Sequence, residues 1–195
     1  MSVIARPSIA GALEDHISDV RRVLSEIPSE AVERVVEVIL DAHRQMRHVY
    51  IIGNGGSAST ASHFACDLSK ATIVEGQRRL RVTSLTDNMA LLTAWANDSS
   101  YDMVFAEQLS SLLNPGDVVI AISASGNSPN LLEAMRVAAS RGATTVGLVG
   151  FSGGSLMHGV DVVVHVPSQS YGVVEDCHLV LEHAITASTR NALLA

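Results

Sequence analysis

Apolar residues recur at three- and four-residue spacing over residues 8–26 (SIAGALEDHISDVRRVLSE) and 30–47, with Glu33 and Glu37 on the polar side of the second segment. That is the pattern of two amphipathic helices. The period then changes. His48-Val49-Tyr50-Ile51-Ile52 is a short β-rich run broken by Gly53-Asn54-Gly55-Gly56, after which SASTASHFACDLSK returns to helical spacing. The order is strand, glycine turn, helix. The same grammar recurs as Asp117-Val118-Val119-Ile120-Ala121-Ile122, then Ser-Ala-Ser-Gly-Asn-Ser-Pro, then NLLEAMRVAASRG, and ATTVGLVG is a third copy of the strand. Further strands are predicted at 80–84 (LRVTS) and 161–166 (DVVVHV), and helices at 87–96, 102–113 and 172–191.

Continuous apolar strands alternating with helices argue for an α/β fold: a doubly wound, mostly parallel five-stranded sheet flanked by helices. Residues 8–47 then stand as an N-terminal helical extension. In such sheets ligands bind at the carboxyl ends of the strands, where helix N-termini present amide donors. Both glycine- and serine-rich turns fall there.

The length of 195 residues suits one domain, residues 1–195. With 47% hydrophobic, 17% charged and only 4% aromatic residues, the core must be built from Val, Leu, Ile and Ala. Twenty acidic against 13 basic side chains give a formal charge of −7, and Lys70 is the sole lysine. A nucleic-acid binder would carry a basic face; the densest basic cluster here is Arg78, Arg79 and Arg81, three charges beside a predicted strand. Schiff-base chemistry would have only Lys70 to use. Cys66 and Cys177 form no CxxC and read as small buried hydrophobes, which fits a reducing cytoplasm rather than a disulfide framework. The N-terminal MSVIARPSIAGALEDH lacks an apolar signal region and no apolar run reaches membrane-spanning length, so a soluble protein without membrane partners is expected.

Gly53-Asn54-Gly55-Gly56-Ser57 lacks the GxGxxG spacing of a dinucleotide fingerprint and is not a Walker loop. It offers backbone able to take positive φ, unpaired amides at a helix start, and Ser57 as hydroxyl donor and N-cap. A tight turn with a cap accounts for it equally well. Ser123-Ala124-Ser125-Gly126-Asn127-Ser128-Pro129 stacks three hydroxyls around a glycine before a helix, with Pro129 suited to the first turn. Hydroxyls and helix-end amides satisfy a phosphate without lysine or arginine. Neutral donors suit a phosphate that serves as a handle, since phosphoryl transfer recruits Mg²⁺ and cationic side chains.

His63 and Asp67 lie four apart on one helix face, and Glu175, His178, Glu182 and His183 fall within nine residues of the last helix. Two imidazoles with carboxylates suit a divalent first-row ion, typically zinc, or proton transfer between adjacent carbons, and the spacing leaves both open. His16, His43, His48, His158 and His165 read as surface or packing residues. Asn97 and Asp98 end a helix, where they cap it or face the ligand-binding cleft.

GNGGSA, HF with an acidic residue four after the histidine, AND, PGDVVIAIS, SGNSPN and EDCH with a second histidine five further on together resemble the phosphoheptose isomerases of the sugar-isomerase (SIS) domain family, over roughly residues 10–190. The resemblance implies an isomerase interconverting sedoheptulose 7-phosphate and D-glycero-D-manno-heptose 7-phosphate through a cis-enediol, or another ketose phosphate. It also implies a homotetramer with intersubunit active sites, assembled through the N-terminal helices, and one Zn²⁺ per subunit. By motif, Ser57, Ser123, Ser125 and Ser128 are the phosphate holders, with Asn54, Gly55 and Asp98 near the sugar. The metal ligands fall on His63, Asp67, Glu175 and His183, with Asp67 moving the proton and His183 assisting.

Three positions depart from the family pattern. Asp67 stands where the family has glutamate, losing about 1.5 Å of reach for proton transfer. Glu175 stands where it has glutamine, so two carboxylates would neutralise a divalent ion and make it less electrophilic. Ala124 replaces a threonine donor. The rival reading is a non-catalytic SIS regulator that binds a phosphosugar or a protein; such a protein has no chemical reason to keep His63 and His183 with acidic companions. Amide-nitrogen transfer to fructose 6-phosphate is disfavoured, since 195 residues are too few for a glutaminase domain plus two sugar-isomerase domains and there is no N-terminal catalytic cysteine.

Overall fold

The computed structural model describes residues 9–195. Ser8, counted in the first predicted helix, lies outside the described residues with the rest of 1–8. Two helices open the fold, α1 (Ile9–Glu26) and α2 (Ser29–Arg44). Five strands follow, β1 (His48–Gly53), β2 (Arg81–Ser84), β3 (Val118–Ser123), β4 (Thr144–Val149) and β5 (Val162–His165). They form one sheet in the order β2-β1-β3-β4-β5, and every neighbouring pair is parallel. The connecting and closing helices are α3 (Gly56–Lys70), α4 (Met89–Asp98), α5 (Ala106–Leu112), α6 (Pro129–Ser140), α7 (Leu156–Gly159) and α8 (Tyr171–Leu194).

Period-two alternation sorts the strand side chains between two cores. Val49 and Ile51 with Val118, Ile120 and Ile122 meet Ile39, Phe64 and Ile185 from α2, α3 and α8. Tyr50, Ile52, Val119 and Ala121 meet Leu109, Leu131 and Met135 from α5 and α6. Helices cover both faces, which is why the central strands read as uninterrupted apolar runs. Among the described residues no helix is long and apolar enough to cross a membrane.

Three elements differ from the sequence expectation. The helix predicted over 30–47 stops at Arg44, because Met46 adopts φ 59° and the N–H groups of Met46 and Arg47 return to the carbonyls of His43 and Ala42. This is a Schellman stop with methionine where glycine is usual. The helix predicted over 102–113 is divided into a 3₁₀ turn at Tyr101–Met103 and the short α5. The four-residue α7 carries no clear period in the sequence. Of the two cysteines, Cys177 is buried as expected, whereas Cys66 faces outward from α3.

The strand order reverses between β1 and β3, so the crevice at their carboxyl ends is the topological switch point. The glycine turn follows β1 and the serine turn follows β3, which brings the two motifs side by side.

Candidate active site

Gly55 caps α3 with φ 56°, a conformation that L side chains resist. Ser57 is therefore the second residue of the helix, in its first turn, rather than its cap, and it is buried. After β3, the Gly126 N–H donates to Ser123 Oγ at 3.0 Å and the Asn127 N–H to Ser125 Oγ at 3.3 Å. These bonds fold the loop so that its hydroxyls face inward. Ser128 occupies the N-cap position of α6, but its hydroxyl makes no capping bond and stays available to a ligand.

Ser57, Ser123, Ser125 and Ser128 line one cavity of about 130 Å³ with Asn54 and Glu175. The first turns of α3, α6 and α8 all border it, so helix-end amides and hydroxyls converge where an anion would sit. The sequence-predicted phosphate residues are thus brought together. Asn54 is held by a reciprocal amide pair with Asn130 (2.9 and 2.8 Å), and the Tyr101 hydroxyl donates to Asn54 Oδ1 at 3.0 Å. Asn130 and Tyr101 were not among the expected site residues. The second asparagine of SGNSPN was the available signal for one of them. Gly55 lines a second, more apolar hollow of about 340 Å³ on the α4 side of Asn54. Asp98 lines neither space: it is exposed at the end of α4 and accepts a bond from the Asn97 side chain at 2.8 Å.

One heptad along α3 and α8 lies the titratable cluster. His63 Nδ1 is 3.3 Å from Glu182 Oε1, His183 Nε2 is 3.4 Å from the same oxygen, and Asp67 Oδ2 stands 3.8 Å from His63 Nε2 and 3.7 Å from His183 Nε2. One ligand atom from each of these four residues lies within 4.8 Å of all the others, the spacing of groups that can share a divalent ion. The two imidazole rings meet edge-on with centroids 5.0 Å apart. Glu182 is fully buried, and neither carboxylate oxygen has a hydrogen-bond partner among the described residues. Burial, reinforced by the nearby Asp67 charge, pushes its carboxyl up to about 8. An orphaned buried carboxylate beside two imidazoles is costly unless a cation or proton compensates it.

The expected ligand Glu175 lies elsewhere on α8. It is not in the four-residue group, and its carboxylate packs on the Cα of Gly56, where an added Cβ would lie 2.5 Å from Oε1. The reason is helical register. Residues 175 and 182 are seven apart on one stripe of α8, and they face Gly56 and His63, seven apart on α3. Glu175 therefore meets the start of α3 beside the serine cavity, about 10 Å along the helix axis from Glu182. His178, on the same stretch of α8, is fully buried, and desolvation lowers it to about 4.

A SIS-domain family model matches residues 14–150. The chain is 39% identical over 166 residues to the phosphoheptose isomerase of Mycobacterium bovis (strain BCG / Pasteur 1173P2), covering 85% of this chain and 84% of that protein. It is 37% identical over 179 residues to the lincomycin biosynthesis protein LmbN of Streptomyces lincolnensis, covering 87% of this chain but only 65% of that longer protein. The solved phosphoheptose isomerase of Neisseria gonorrhoeae superposes with a TM-score of 0.86 at 29% identity, covering 93% of this chain and 98% of that one.

Proposed function

The chain belongs to the SIS-domain family as a phosphosugar isomerase related to the phosphoheptose isomerases, and we propose that it interconverts sedoheptulose 7-phosphate and D-glycero-D-manno-heptose 7-phosphate. The observation that carries this reading is the pairing of a serine- and amide-lined anion cavity with the His63, Asp67, Glu182 and His183 cluster one heptad away. The phosphate is held by Ser57, Ser123, Ser125 and Ser128 with the amides of the α3 and α6 starts, while the sugar chain extends along α3 toward the cluster. Asp67 takes the proton from C1 of the ketose and returns it to C2, so the intermediate is a cis-enediol. His183 carries the compensating proton at the two oxygens, since deprotonation at one carbon requires protonation of the adjoining carbonyl oxygen.

A divalent ion fits the cluster, on the evidence of the two unpartnered Glu182 oxygens. We assign His63, Asp67, Glu182 and His183 to it, with zinc preferred by the mixed imidazole and carboxylate donors. When bound, such an ion polarises the substrate carbonyl as a Lewis acid. With Glu182 in the set, Glu175 is left to the sugar cavity, where it borders the held phosphosugar.

The reading includes a single SIS domain over residues 1–195, with 8–47 as an assembly extension, acting in the cytoplasm as a homotetramer with intersubunit sites. Ile9, Leu13 and Ile17 form an exposed apolar stripe at four-residue spacing on α1, and α4 buries none of its residues, exposing Met89 and Leu91. Both are surfaces that a neighbouring copy would cover, and Asp98 at the end of α4 would then reach a neighbour's sugar. The regulator reading is disfavoured because the four titratable residues come together. A coupled assay with sedoheptulose 7-phosphate, with and without Zn²⁺, tests the proposal: turnover supports it, and none in either condition removes this substrate.

A further inference from the structure

Four of the arginines converge at the end of the sheet opposite the serine cavity. Arg47 follows α2, Arg78 and Arg79 lie in the loop after α3, and Arg81 opens β2; with His43 and Met46 they line a cleft of about 290 Å³. We propose that this cleft binds a polyphosphate group, the di- or triphosphate of a small molecule, at a site separate from the sugar phosphate.

The cleft is held in shape. The Schellman turn at Met46 delivers Arg47, whose guanidinium lies against Gly116; a Cβ there would stand 3.0 Å from Arg47 Nε. That Nε is buried without a hydrogen-bond partner among the described residues. Arg81 Nη1 donates to the Met46 carbonyl at 3.1 Å, Arg78 Nη2 reaches the Arg44 carbonyl at 3.4 Å, and the His43 ring lies 2.9 Å from the Arg78 carbonyl. These contacts staple the 78–81 segment to the end of α2 while occupying only one of the five donors of Arg78 and one of Arg81.

Charge compensation is missing. Among the described residues none of the four arginines has a carboxylate at ion-pair distance, whereas Arg22, Arg34, Arg44 and Arg136 each do. Nearby, Asp41 is engaged by Arg44, and Asp117 is buried and accepts the N–H groups of His48 and Asn114. Glu75 is exposed on the loop outside the cleft lining. The field reaches the adjoining strand: His48 is lowered by burial and then by the Arg81 charge. A chain of net charge −7 that gathers four unpaired guanidiniums at one concavity presents a local anion site against its own overall sign.

The donor chemistry separates this site from the serine cavity. Hydroxyls and amides suit a monoester, while several guanidinium forks from three segments match the larger charge and many oxygens of adjacent phosphates. The volume approaches the small end of ligand pockets, about 300 Å³. The six residues of β1 separate the two sites, about 20 Å at 3.3 Å per residue, so both can be filled together.

The test is calorimetric titration of the full chain with sodium tripolyphosphate and, separately, with ADP, at low and at physiological ionic strength. Saturable binding of one anion per chain is expected, weakening as salt rises and falling about tenfold or more in Arg78→Ala/Arg79→Ala, from two lost charge-assisted contacts. Arg79 makes no bond within the described residues, so Arg79→Glu leaves the fold intact and is expected to weaken binding at least as much. Ser125→Ala is expected to bind the anion as wild type does. Tighter binding of ADP than of tripolyphosphate would place its nucleoside in the cleft, and equal affinity would make the phosphates the whole recognition element. Absence of saturable binding, binding unaffected by the arginine variants, or binding lost in Ser125→Ala would overturn the proposal. So would a changed oligomeric state in Arg79→Glu by sedimentation, which would assign the arginines to a second copy.

Discussion

Replacing Glu182 by glutamine separates the cost of the buried carboxylate from its use. The side chain is fully buried, and its carboxyl is raised from 4.5 to about 8, first by burial and then by Asp67. In metal-free protein at pH 7 the folded state therefore holds a proton that the unfolded chain has released. That proton costs about 3 kcal/mol, from roughly 2.5 units between pH 7 and the ordinary carboxylate value at 1.36 kcal/mol each. The sign follows: a carboxyl raised in the folded state loses stability as pH rises through the interval from 4.5 to about 8. Glutamine keeps the shape without that cost, so metal-free Glu182→Gln is expected to melt several degrees higher than wild type at pH 7, at about 2–4 °C per kcal/mol for a chain of this size, and about equally at pH 5. Zinc reverses the order. Even outer hydrogen-bond partners of metal ligands are worth about 10–100-fold in affinity, so losing a direct charged ligand is expected to cost about a hundredfold or more. Scanning fluorimetry of metal-stripped and zinc-titrated protein, with metal content by mass spectrometry, reads both effects. A glutamine variant that melts no higher than wild type when stripped, and retains zinc as well, would refute the reasoning.

Other expectations are simpler. Asp67→Asn should lower kcat about 10²–10⁴-fold with the fold retained, measured with sedoheptulose 7-phosphate alongside circular dichroism. Ser125→Ala should raise KM about 5–10-fold with kcat nearly unchanged, as loss of one phosphate hydrogen bond worth about 1 kcal/mol would do. His178 is lowered from 6.5 to about 4 by burial, so its contribution is complete above pH 6.5 and is lost as pH falls toward 4, up to about 3 kcal/mol. Urea titrations across that range should flatten in His178→Leu. Met46→Gly should stabilise the chain by about 1 kcal/mol in the same assay, because glycine occupies the left-handed position freely.

The turns were legible because their chemistry is local. Glycines 53, 55 and 56 and the serines at 123, 125 and 128 mark strand-to-helix junctions in one dimension, and a parallel sheet sends both to its carboxyl edge. The cluster was half legible. His63 and Asp67 share a face by their own spacing, whereas the choice between Glu175 and Glu182 depends on how α8 lies against α3, a non-local register that no single-helix period encodes. The family pattern favoured position 175; the heptad match between 56–63 and 175–182 put Glu182 beside His63 instead. The end of α2 was misplaced because the stop is made by methionine at positive φ, without the glycine that usually announces it. Asp98 was expected by a sugar, but α4 holds it away from both cavities of the single chain.

The reaction itself is tested most directly by nuclear magnetic resonance of zinc-loaded protein turning over sedoheptulose 7-phosphate in D₂O. Proton transfer by Asp67 through a cis-enediol predicts the aldose product with solvent deuterium at C2, and its disappearance in Asp67→Asn. Undiminished substrate with no deuterium entering C1 or C2 would contradict the assignment of this site to heptose phosphate isomerisation.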